Sequence, residues 1–370
     1  MDRPFPFGFR WPVAMDLALF VVTATIYAVF MQYVLGGGIL LLAGAAAPGA
    51  RRRLGGRPRR SGLDLIVKVL RDGMPAMLGL AILAGVTPLL ILQVLYRRPF
   101  DAGNLLGFHR FVLMPPILIA AFYLLNRIKS RPLAERNPVT RAAVTSLVLA
   151  GFSYTAWAWT ESHVMSLHSA AWSELYASGR WFFRNAEIWP RLGYGMTASF
   201  PTLATVLAWQ LHWGRRPHDP ADLDLAARRL RALAILGLAT SAAEAGLWVL
   251  WLDPPARGAV LGILALPYTI LALAGMGIQA GGWLTVKSGA DLNTRRLAIL
   301  SAGAVLTTFG ALVVREARRL AAIDPATLYD AHRHATGVGD IGVFLIVFTL
   351  IAATTTTCVL VVKRALRPMT

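Results

Sequence analysis

The sequence predicts an all-α fold: a polytopic transmembrane helix bundle of about nine spans, N-terminus outside and C-terminus inside, with short amphipathic helices on the outer face. Three observations lead there. Hydrophobic residues make up 56% of the 370, charged residues only 15%, and mean hydropathy is +0.55, far from a soluble globular composition. Apolar stretches of the roughly 20 residues needed to cross a hydrocarbon core recur along the whole chain. Lys and Arg gather in alternate loops, 22 in those assigned to the inside and 13 outside, and this bias sets the orientation.

The spans are expected at about 13–35, 73–96, 108–126, 141–160, 193–213, 231–252, 258–286, 296–314 and 341–362, in a single transmembrane domain covering 1–370. The first continues through "YVLGGGILLLAGAAA" to residue 47 as one long tilted helix. Its Gly36, Gly37 and Gly38 would let a neighbouring helix or a flat ligand approach closely, helix packing being the favoured reading. Gly258 with Gly262, and Gly277 with Gly281, are expected to form similar seams in the seventh span.

Two outer elements, 161–192 and 315–340, are longer than ordinary loops. In the second, Asp324 before Pro325 marks a helix start. In the first, "TESHVMSLHSAAWSELYASG" (160–179) wheels as one interfacial helix with Val164, Met165, His168 and Trp172 on its apolar half. His163 and His168 then diverge by about 140° at 100° per residue, so they do not form a chelate.

The net charge of +18 would suggest nucleic acid in a soluble protein. Here it forms juxtamembrane clusters suited to anionic headgroups, and nucleic-acid binding is not expected. The single cysteine, Cys358, rules out an internal disulfide, a Cys-rich iron–sulfur site and a CxxCH haem attachment within this chain. No metal site and no catalytic residues are expected.

Glu244, in "TSAAEAGLWVL", is read as the only acidic residue well inside a span. A carboxylate in hydrocarbon must be paired, protonated or turned to the bundle interior. It is therefore a candidate proton or hydrogen-bond site, with a protonated acid bonded to a facing hydroxyl as the plainer reading. Gln32, Gln93 and Gln279 are expected to make interhelical hydrogen bonds. His109, His163, His168, His332 and His334 sort to the outer face, His212 and His218 to the inner. A b-type haem needs two axial ligands at matching depth on different helices. His109, in "GFHRFVLMPP", with His168 or Met165 are the candidates for such a haem, or for quinone contacts.

The long first helix ending in "GGG", the segment "GVTPLLILQVLYRRPF" at 85–100, and "W…LYASG…IWPR" between Trp172 and Arg191 resemble bacterial polytopic membrane proteins of respiratory clusters. More distantly they resemble the first subunit of cytochrome bd quinol oxidases. This resemblance covers about the first 215 residues. It implies a multi-pass protein of the bacterial inner membrane, built on a helical scaffold from an electron-transfer lineage. That family has a histidine haem ligand early in its first helix, where Ala28 to Gln32 stand here, and its quinol-loop motif is absent. Relatives carry a histidine shortly after "WPR"; this chain has Tyr194.

Together these readings favour a non-catalytic membrane subunit of a respiratory or photosynthetic electron-transfer complex. It would be mainly a scaffold, with haem b or quinone as the cofactor class, and would contact lipid, other membrane subunits and a periplasmic cytochrome. A transporter or channel subunit is the alternative, disfavoured by the lack of an internal repeat. An intramembrane lipid-modifying enzyme is third, its nearest motif being "HRH" at 332–334 with Asp330 and Asp340.

Overall fold

The structure, a computed structural model, describes residues 5–46, 62–130, 137–214 and 219–323, the backbone of 53–54 and 57–58, and isolated positions between 328 and 357. Among the described residues the chain is helical, apart from turns and a two-residue antiparallel pairing of Arg53–Leu54 with Arg57–Pro58. The helices are α1 (Trp11–Ala46), α2 (Gly62–Leu95), α3 (Arg97–Leu106), α4 (Phe108–Lys129), α5 (Pro138–Leu167), α6 (Trp172–Ser178), α7 (Ile188–Trp213), α8 (Pro220–Trp251), α9 (Pro254–Leu261), α10 (Leu266–Leu284) and α11 (Thr294–Ala322).

Local signals set several starts. The Asn137 side chain accepts from Val139 N at 3.0 Å with Pro138 at the first helical position, and Asp219 accepts from Ala221 N at 3.1 Å ahead of Pro220. Asn293 caps α11 by accepting from Arg296 N. By length and apolarity α1, α2, α4, α8 and α11 suffice to cross a membrane, and the bent pair α9 and α10 makes a sixth if taken together. α5 and α7, at 30 and 26 residues, are long enough but lack a sufficiently apolar stretch. The ninth expected span, 341–362, and "TTTT" at 354–357 lie largely outside the described residues; "HRH", Asp330, Asp340, His218 and Asp324–Pro325 lie wholly outside them.

α1 is the 36-residue helix expected and sits in the middle of the bundle, packed on α2, α5, α7 and α11. Its three glycines each admit a different neighbour. A Cβ on Gly36 would stand 2.7 Å from Ser199 Oγ on α7, one on Gly37 2.8 Å from Met74 Cε on α2, and one on Gly38 3.2 Å from Phe152 on α5. The triplet is a packing junction that brings three helices to one backbone. The core around it runs from Tyr33 and Leu70 through Leu203 and Leu207 to Trp283 and Leu300.

Three expectations change. Residues 160–179 do not form one surface helix: 160–167 is the last two turns of α5, the chain breaks at His168, and a turn at 169–171 leads into α6. The wheel failed because the apolar periodicity of 164–175 continues across a break made by tertiary contacts. The segment 258–286 is not one straight span but bends by 68° between α9 and α10, with Gly262 ending α9. The seam lies elsewhere as well. Positions 258, 277 and 281 have nothing within 4 Å of an added Cβ, whereas one on Gly275 would stand 2.6 Å from Gly303 O and one on Gly282 2.7 Å from Leu300. α10 thus turns a different face to α11.

Candidate functional site

Successive long helices reverse direction, so residues 96–110, 161–192, 248–257 and the end of α11 meet at one end of the bundle, the outer end in the expected orientation. There a buried ionic layer ties the helices together. It was not foreseen because 315–340 reads as a separate outer element with a helix start at Asp324, whereas α11 continues to Ala322 and carries Arg315, Glu316, Arg318 and Arg319 into the packing.

Arg319 donates from Nη1 to Glu316 Oε2 at 2.8 Å and from Nη2 to His163 Nδ1 at 2.8 Å. Its guanidinium lies 4.7 Å from the Tyr96 ring centroid, and Tyr96 Oη donates to the same Glu316 oxygen at 3.1 Å. Accepting from a guanidinium requires His163 Nδ1 to be unprotonated. Glu187, just before α7, gathers a second group. Its Oε1 accepts from Arg191 Nη2 and from Trp248 Nε1, the latter at 3.2 Å, and its Oε2 lies 3.4 Å from Arg318 Nη2. Burial pushes the Glu187 carboxyl upward, but the Arg191 and Arg318 guanidiniums outweigh it and hold the group below the usual carboxylate range. In the third group Arg110 Nε lies 2.9 Å from Glu161 Oε2, while Glu161 Oε1 accepts from Phe183 N at 2.6 Å.

Removing charges from water is costly unless each is paired, and here every buried carboxylate meets at least one arginine. The chemical work of such a layer is to lock helix ends in register. Sequence carried a partial signal in the Glu187 and Arg191 pair at i, i+4 and in "REARR" at 315–319.

The expected site residues are scattered around this layer. His109 is exposed and stacks on Trp181, with ring centroids 5.4 Å apart and planes at 19°. Met165 is 1% exposed, and a Cβ on Gly107 would stand 3.5 Å from its methyl carbon. His168, half-buried, is the C-cap of α5: Nδ1 bonds Val164 O at 2.8 Å, and Nε2 faces Asn185 Nδ2 at 3.2 Å. That pattern fixes the Nδ1–H tautomer. Glu244 lies half-buried on α8 against Gly193 of α7, its carboxyl carbon 2.8 Å from where a Cβ would stand. Gln32 Oε1 accepts from Thr202 Oγ1 at 2.6 Å and Gln279 Nε2 donates to Thr307 Oγ1 at 3.0 Å, both between helices, while Gln93 is exposed. At the inner end His212 Nε2 contacts Thr294 Oγ1 at 3.0 Å.

An axial haem pair does not fit this arrangement. Both ring nitrogens of His168 already have partners, His109 stacks on an exposed indole, and Met165 is enclosed beneath the α3–α4 junction. No group of three or more His, Cys, Asp or Glu able to hold a metal ion occurs among the described residues.

No protein-family model and no curated protein matches the sequence. Among solved structures, a chain of the bd oxidase from Geobacillus thermodenitrificans superposes with a TM-score of 0.64 at 13% identity, over 96% of this chain and 99% of that chain. The likeness expected for the first 215 residues thus extends over nearly the whole length, and the chain has the fold of a cytochrome bd oxidase chain.

Proposed function

We propose that this protein is an integral membrane subunit of a bd-type respiratory oxidase complex or a related electron-transfer assembly, working as scaffold and docking surface. The observation that carries the reading is the near full-length correspondence with a chain of a respiratory oxidase. The buried ionic layer supports it, since it invests charged residues in fixing helix ends. In this reading the chain crosses the bacterial inner membrane nine times with its N-terminus outside, other membrane subunits pack on its apolar faces, and a periplasmic cytochrome docks at the outer end. α4 suits subunit contact: it packs mainly on α5 and α2 and presents Val112, Leu113, Ile119 and Tyr123 outward.

Purification in mild detergent with whatever co-purifies, followed by a reduced-minus-oxidised visible spectrum, tests the proposal. The expected result is co-purifying haem-bearing subunits and no haem band from the chain alone. A haem band in the isolated chain that disappears in His109→Ala or His168→Ala overturns the scaffold reading and places a haem at those histidines. Purification without any redox-active partner removes the assignment to an electron-transfer complex.

A further inference from the structure

A cavity of about 1090 Å³ lies between α5 and the segment from Phe182 to Leu192. Along α5 it is walled by Ala150, Tyr154 and Trp157, ending at Glu161; across from these stand Ile188 and Leu192. At 1.5 Å per residue, Ala150 to Glu161 covers about 16 Å, close to half of the ~30 Å hydrocarbon core. The cavity is therefore one leaflet deep, given that α5 crosses the membrane over 141–160. Its mouth carries Phe182, Trp189 and Arg184, the aromatic and basic chemistry of a headgroup zone.

Arg184 is exposed and has no ion pair or hydrogen bond among the described residues. The acidic groups nearby are engaged elsewhere: Glu161 with Arg110 and Phe183 N, Glu187 with Arg191, Arg318 and Trp248. We propose that this groove holds an anionic phospholipid, one acyl chain lying along α5 and the phosphate on Arg184. A quinone is disfavoured because the wall groups best placed to bond its ring face protein partners. Tyr154 Oη donates to Arg110 O at 3.1 Å, Glu161 Oε1 accepts from Phe183 N at 2.6 Å, and Glu161 Oε2 faces the Arg110 guanidinium at 2.9 Å.

The test uses the full chain washed with excess neutral detergent, then solvent-extracted so that phospholipids and quinones are counted per chain by mass spectrometry, with phosphatidylglycerol or phosphatidylcholine added back. Wild type should retain about one phospholipid per chain and take up phosphatidylglycerol preferentially. Arg184→Glu should lower retention roughly tenfold, from the loss of one basic contact and the added repulsion. Ala150→Phe, which fills the deep end, should lower it comparably. Arg10→Glu, an equal charge change at an exposed position outside the groove, should leave it unchanged. Equal retention in Arg184→Glu and Arg10→Glu, equal uptake of the two lipids, or a quinone extracted in place of phospholipid overturns the proposal. Arg184 is exposed, so its variant folds even if Ala150→Phe does not.

Discussion

Glu187→Gln gives the sharpest test of the ionic layer. The carboxylate is 6% exposed and meets Arg191, Arg318 and the Trp248 indole, while its own backbone N–H donates to Asn185 Oδ1 at 2.8 Å. Glutamine keeps the shape but removes the charge and turns an amide N–H₂ toward a guanidinium. Arg191, 10% exposed, then loses its counter-charge, and Arg318, 6% exposed, keeps only a 3.9 Å contact with the exposed Asp253. Leaving a buried charge unpaired costs about 3–5 kcal/mol, which corresponds to a thermal midpoint lower by roughly 4–6 °C in a chain of this size. Glu187 is held below its ordinary value of 4.5, so its contribution is present above about that pH and is lost as pH falls through the folded value. The assay is thermal unfolding in detergent at several pH values. The gap between wild type and Glu187→Gln should be full at neutral pH and shrink below about pH 4.5. A midpoint within about 1 °C of wild type at pH 7 would refute the claim that this layer holds the helix ends.

Two further outcomes follow from close approaches. Gly275→Ala should destabilise by about 1–3 kcal/mol, because its Cβ would meet backbone atoms of Gly303 and Thr307 at 2.6 Å; Gly277→Ala, on the same helix in open space, should be neutral or stabilising by up to about 1 kcal/mol. Denaturant midpoints of the pair decide whether α10 meets α11 through this face. Gly193→Ala should cost less, about 0.5–1 kcal/mol, because the Glu244 carboxyl it displaces is the movable end of a half-buried side chain, and in a Glu244→Ala background that cost should vanish. A double-mutant cycle showing no coupling would remove Glu244 from its seat against Gly193.

The long apolar helices α1, α2, α4, α8 and α11 could be read directly because apolar length is a one-dimensional property. Composition alone marked the chain as an integral membrane protein. The glycine triplet at 36–38 also announced itself, since three consecutive residues without a side chain allow a close approach, and helix packing is the favoured reading. Helix breaks were less visible. The apolar stripe of 164–175 passes through the turn at His168, which is held by its own ring bonds to Val164 O and Asn185.

What the tertiary structure alone decided is which charges meet. His163 and Arg319 are 156 residues apart, Tyr96 and Glu316 220, and Glu187 and Arg318 131. Sequence could place each of them near a helix end, where an isolated charge faces headgroups and needs no partner. Only packing shows that these ends are buried against one another, and burial is the condition that makes pairing obligatory. The same holds for the groove: 141–160 reads as a span and 182–192 as part of an outer element, and the cavity exists only in the space between them.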